Sequence, residues 1–270
     1  MTQSRHQHGT AALDAMFARA KAEKRAAFLP YFCIGYPDLK ESLRAIESVA
    51  ALGVDGFEIG MPFSDPIADG PTIQVATQIA LENGTTVRQC LAAVRTLREK
   101  GIHQPMLMMG YANPLVAYGA DRFVRDARAA GADGLIVPDL PPEEAALFAD
   151  SCVREGMALV FFLAPTSNDE RIALATANAT GFIYVVSLTG ITGARKDLPT
   201  YLTDYIARLR SKTDMPLVLG FGISTPEHAR QLRGLTDGFI VASALIRAWE
   251  RSFDNMRALA GEIFAAIRDK

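Results

Sequence analysis

A chain of 270 residues with 49% hydrophobic side chains can bury one large core, and its length suits eight repeated βα units. Its 28 basic and 30 acidic side chains are interspersed and leave a net charge of −2, which excludes the one-signed field that a nucleic acid or an anionic membrane needs. The longest purely apolar run, Met157 to Ala164, is far short of a bilayer span, and the polar opening residues lack the apolar centre of a signal peptide. Cys33, Cys90 and Cys152 are too widely spaced for a disulfide framework or a zinc knuckle, so a soluble cytoplasmic protein is expected.

In chain order, residues 1–10 read as a loose tail and 11–24 as a helix that caps the floor of the fold. Eight short apolar runs follow as strand candidates: Ala27–Cys33, Gly56–Gly60, Pro105–Tyr111, Gly134–Val137, Ala158–Leu163, Phe182–Ser187, Leu217–Gly220 and Phe239–Ala242. Between them apolar residues recur at helical spacing, as in Val87, Cys90, Leu91, Val94 and Leu97. Strand and helix in alternation predict parallel pairing through right-handed crossovers, in a closed barrel or an open doubly wound sheet. A repeat favours the barrel. The even strands open alike, at Val54-Asp55-Gly56, Ala132-Asp133-Gly134, Ala179-Thr180-Gly181 and Thr236-Asp237-Gly238, and a fourfold βαβα unit closes naturally into eight strands. The fold predicted is one α/β domain over 11–270, a single (β/α)8 TIM barrel with an extra N-terminal helix.

Chemistry in such barrels gathers where strands end. Glu58 is flanked by Phe57 and Ile59, so a period of two turns it into the barrel, where a carboxylate is costly unless paired or used. A structural ion pair is the alternative, but no Lys or Arg lies within any strand candidate. Gly220, Gly222 and the Ser224-Thr225-Pro226 turn, with Ser243 opening the last helical stretch, form the backbone-rich strand ends that suit a phosphate. The lysines and histidines lie outside the strand ends, which argues against an imine mechanism and a histidine metal site; no metal is expected. Carboxylates with a phosphate grip suit proton transfer on a phosphorylated substrate. Cys33 ends the first strand where a phosphoribosyl-type isomerase can place a base, yet the matching strand-five acid is missing, since Leu163-Ala164-Pro165 stands there. A silent barrel that only binds phosphate and activates a partner is a third reading.

The run from Glu58 to Gln74, with Met61-Pro62, Ser64-Asp65-Pro66 and Asp69-Gly70-Pro71 inside it, closely resembles the signature of tryptophan synthase alpha subunits. So do Met109-Gly110-Tyr111-Ala112-Asn113-Pro114, Tyr184 through Gly193-Ala194, and Gly220 through Pro226. The resemblance runs from about Phe28 to the final helix. It implies retro-aldol cleavage of indole-3-glycerol phosphate to indole and glyceraldehyde 3-phosphate. Glu58 would then be the general acid/base, and Asp69 would hold the indole N–H; an Asx-type turn is the alternative for Asp69. Tyr31, Tyr111, Ile136 and Phe221 would wall the indole pocket, with Tyr184 supporting it and Thr192 in a closing loop. Gly193, Gly222, Ala242 and Ser243 would hold the phosphate, although the family usually carries glycine at Ala242. Pro62, Asp65 and Asn113 would face a beta subunit in an α2β2 complex, and Asp139 would line that contact or the pocket rim. No cofactor is expected in this chain; pyridoxal phosphate would belong to the partner. A free-standing lyase of the same family is the alternative.

Overall fold

The computed structural model describes residues 7–186, 201–220 and 222–268. In chain order the elements are α1 (Thr10–Ala22), β1 (Ala27–Cys33), α2 (Leu39–Ala50), β2 (Phe57–Gly60), α3 (Pro71–Glu82), α4 (Val87–Glu99), β3 (Met106–Met109), α5 (Ala112–Tyr118) and α6 (Ala120–Ala130). There follow β4 (Gly134–Ile136), a 3-10 turn (Pro142–Leu147), α7 (Ala149–Glu155), β5 (Ala158–Leu163), α8 (Asp169–Asn178), β6 (Ile183–Val186) and α9 (Tyr201–Arg210). The last are β7 (Leu217–Gly220), α10 (Pro226–Gln231), β8 (Gly238–Val241), α11 (Ser243–Arg251) and α12 (Phe253–Arg268). The eight strands close into one barrel in sequence order, every neighbour parallel. The closed barrel therefore replaces the open sheet. Each strand lies within or one residue beside its predicted range.

Register explains which side chains enter the barrel. Around one level the Cα partners run Tyr31–Glu58–Leu107–Gly134–Ala158. A second level runs Phe162–Tyr184–Val218–Gly238–Ala27. Paired residues share a face, so these point inward while their neighbours face the helices. Phe57 and Phe32 show the outward set, with ring centroids 6.4 Å apart behind Glu58. Two glycines make room for two tyrosines: a Cβ on Gly60 would stand 2.2 Å from the Tyr31 hydroxyl, and one on Gly220 would stand 2.1 Å from that of Tyr184.

The fourfold opening of the even strands acquires a physical meaning at the floor. Asp55 accepts the Phe28 N–H at 2.9 Å, Asp133 that of Met106 at 2.9 Å, and Asp237 that of Leu217 at 2.7 Å. Thr180 does the same with its hydroxyl for Leu159, at 2.8 Å. Each even-strand entry thus satisfies the first ladder donors of the odd strand before it, which would otherwise be orphaned. The three aspartates also pair with arginine, Asp55 with both Arg25 and Arg19, Asp133 with Arg98 and Asp237 with Arg210; among the described residues Thr180 pairs with none. Helix α1 closes this end, with Leu13, Met16 and Phe17 buried and the Phe17 ring 6.0 Å from Phe182. The loose tail is shorter than the sequence suggested. Gly9 donates to Asp133 at 2.7 Å and Thr10 to the Gly156 carbonyl at 3.0 Å, so both are anchored to the floor.

Candidate active site

At the opposite end, the loop from Met61 to Gly70 rises from β2 and enters α3 through Pro71, a residue suited to the first helical turn. Glu58 sits below it, 3% exposed. Burial, then the neighbouring Asp69 charge, pushes its pKa up to about 8. Among the described residues no cation forms an ion pair with it.

Asp69 is half-buried near the end of that loop. Its carboxylate accepts the Tyr111 hydroxyl at 3.0 Å, and Tyr111 itself accepts the Ala68 N–H at 3.0 Å. The Asx-turn alternative gives way: the carboxylate looks across to β3, while local loop bonds are made by backbone, Ile67 N to Asp65 O and Asp69 N to Pro66 O. Burial raises the Asp69 pKa to about 6, opposed by the Tyr111 hydrogen bond. Two carboxylates therefore share one interior with separated ionisation, the pattern of an acid and a base.

Tyr31 and Tyr184 are buried, and burial together with nearby negative charge holds both phenols well above their ordinary range. Phe162 was not singled out from the sequence. Its ring stacks on Tyr184 at 4.4 Å and 29°, making an aromatic wall opposite the carboxylates. Its signal was the period of two along β5, hidden because Phe161, Phe162 and Leu163 are all apolar. Ile136 is fully buried and inward on β4, level with Met109 and Val160. Cys33 carries a thiol that burial pushes up to about 12, so it is no base near neutrality, and the isomerase reading loses its catalyst.

At the phosphate end, Gly222 has φ +83°, a backbone that a side chain resists. Ala242 is the N-cap of α11 and Ser243 its first residue, both half-buried. Thr225 caps α10 through the His228 N–H at 3.3 Å. His228 stands beyond the strand end, buried in the first turn of α10, with its Nδ1 3.4 Å from the Ser224 N–H. Thr192, Gly193 and Phe221 lie outside the described residues.

On the rim, Asp65 and Asn113 are exposed, whereas Pro62 is buried. Ile67, 82% exposed, is the outermost apolar side chain there, with Val75 and Val116 also exposed. Asp139 accepts the Ala112 N–H at 2.9 Å and so braces the start of α5 beside Asn113.

A family model described as tryptophan synthase alpha chain matches residues 17–268. The chain belongs to the tryptophan synthase alpha chain family. It is 51% identical over 236 residues to the tryptophan synthase alpha chain of Roseiflexus castenholzii, covering 87% of this chain and 90% of that one. The alpha chain of Gluconacetobacter diazotrophicus is 46% identical, over 88% of this chain and 87% of its own. Among solved structures, a tryptophan synthase from Mycobacterium tuberculosis superposes with a TM-score of 0.90 at 38% identity, covering 96% of this chain and 98% of that chain. In this alpha-chain family member the signature loop, the two carboxylates and the glycine-lined strand ends fall at one mouth of one barrel.

Proposed function

We propose that this chain splits indole-3-glycerol phosphate by a retro-aldol step shared between Glu58 and Asp69. The observation that carries the reading is their separated ionisation, about 8 against about 6, inside one interior without a paired cation among the described residues. Near pH 7 Glu58 holds a proton and Asp69 does not. The Glu58 carboxyl gives its proton to indole C3, and the Asp69 carboxylate accepts the indole N–H and stabilises the cation that forms. The Glu58 carboxylate then takes the proton of the side-chain hydroxyl. The bond from C3 to the side chain breaks, its electron pair restores the indole ring, and the hydroxyl carbon becomes the aldehyde of glyceraldehyde 3-phosphate. Glu58 ends protonated as it began. Ser243, Ala242 and Gly222 hold the phosphate through backbone N–H groups at two helix starts.

The step asks nothing of a metal or an imine, because one carboxyl supplies and recovers the proton. Pyridoxal phosphate belongs to a beta subunit, with which this chain forms a cytoplasmic α2β2 complex. Exposed Asp65, Ile67 and Asn113 support a docking face beside the active-site loop. The test is indole release from indole-3-glycerol phosphate by the isolated chain in buffer with a chelator. Release with kcat/KM bell-shaped between about 6 and about 8 is expected, and no release with either the chain alone or a beta subunit added removes the reading.

A further inference from the structure

Tyr111 follows β3 and is the N-cap of α5, so its backbone is held on rigid elements while the loop from Met61 to Gly70 crosses above it. Three consecutive attachments of that loop converge on this side chain. The Phe63 ring lies against the Tyr111 ring, centroids 5.3 Å apart at 32°. The Ala68 N–H donates to the phenol oxygen and the phenol donates to Asp69 Oδ2, both at 3.0 Å. A hydroxyl has a single proton to give. Because a backbone N–H can only donate, it occupies the phenol oxygen as an acceptor and leaves that one proton for Asp69. The bond suits an ionised carboxylate and opposes its protonation.

We infer that Tyr111, beyond walling the pocket, is a positioning residue that holds Asp69 ionised and fixed to the β3 wall through this one-way hydrogen-bond relay. The inference rests on the retro-aldol reading for its consequence in turnover, but not for the relay itself. Burial works against the ionisation of Asp69. Glu58 from β2, Tyr31 and Cys33 from β1 and Tyr184 from β6 all feel its charge, and none of them offers it a cation. Asp139 adds negative charge on the far side of Tyr111. Among the described residues no cation forms an ion pair with Asp69. The phenol is therefore the group that offsets burial there, and the mechanism needs the ionised form to receive the indole N–H.

The substrate phosphate titrates near the same pH, so the carboxyl must be observed directly. With 13C-carboxyl aspartate in the ligand-free chain, the Asp69 signal is the one missing from Asp69→Asn. Tyr111→Phe keeps the ring and removes the relay. Its Asp69 midpoint is expected to rise by about one pH unit, the size of a hydrogen bond to a charged group. The acidic limb of kcat/KM should follow, costing about fivefold at pH 6 and under twofold at pH 7.5. Phe63→Leu, which loosens the ring contact only, should leave the midpoint within about 0.3 units. A folded Tyr111→Phe with an unmoved Asp69 midpoint overturns the relay. If that variant does not fold, the Tyr111 Cζ signal of the parent must shift with Asp69 titration and lose that shift in Asp69→Asn; constancy overturns the relay as well. A moved midpoint in a parent that cleaves no substrate would leave the relay standing and remove the retro-aldol reading instead.

Discussion

Replacing Glu58 by glutamine keeps the side-chain volume and removes the one proton that the proposed cycle lends and recovers. Cleavage should fall by at least about a thousandfold, while glycerol 3-phosphate affinity, set at the other strand ends, stays within about twofold. Turnover within tenfold of the parent would show that another group moves the proton. The same variant should be more stable in alkali. The folded pKa of Glu58, about 8, lies above its ordinary 4.5, so the folded chain binds more protons than the unfolded chain between those values and loses stability as pH rises through them. Glu58→Gln escapes that loss, and urea midpoints at pH 9 should favour it by a few kcal/mol or less. Equal midpoints would mean that burial does not strain the carboxylate. Alternation made Glu58 legible without any relative, because two large apolar neighbours can only face helices. Asp69 was legible only through its resemblance to a signature, since a proline-rich loop has no period to aim a side chain. The packing of Pro62 was hidden for the same reason: a proline in a loop gives no sign of which way it packs, and this one packs inward.

Elements were easier to find than their ends. The β3 range in the sequence overran at Tyr111, which already caps α5, because apolar character continues past the strand into the pocket wall. The start of α11 carries a consequence of its own. Ala242, the N-cap of α11, carries a methyl at the place proposed for the phosphate to meet backbone N–H groups. Ala242→Gly should tighten glycerol 3-phosphate by roughly threefold, read by calorimetry. Weaker binding would place the phosphate elsewhere. The aspartate openings of the even strands were visible as a repeat, but a sequence cannot show that their side chains cross to the preceding strand. Asp133→Ala leaves the Met106 and Gly9 N–H groups without their acceptor and takes the counter-charge from Arg98, which keeps only backbone carbonyls, and should cost about 3 kcal/mol or more. Thr180→Ala, which loses one neutral hydrogen bond, should cost about 1 kcal/mol. Denaturant midpoints that reverse this order would show that the arginines contribute nothing.

The whole molecule is a scaffold with chemistry at one mouth and an apolar side chain on its lip. Ile67, 82% exposed and two residues before Asp69 on the active-site loop, gives a docking partner an apolar contact beside the site. A cognate beta subunit should stimulate cleavage at least about tenfold, equivalent to about 1.4 kcal/mol of barrier, and Ile67→Asp should lose most of that stimulation. Full activity without a partner, unaltered by one, would mark a free-standing lyase. The barrel also contains an internal comparison that no mutagenesis is needed to make. All four floor rungs carry a backbone bond back to the odd strand, but three add a carboxylate and the fourth, Thr180 to Leu159, adds only a neutral hydroxyl. A closed barrel breathes at its weakest seam, so amide protons at Leu159 should exchange with deuterium sooner than those at Phe28, Met106 and Leu217. That seam joins the strands bearing Phe162 and Tyr184, while the carboxylates stand on the firmly stitched side. Faster exchange at Leu159 would make the aromatic wall the side that gives way as a planar product leaves, with the spacing of the carboxylates kept.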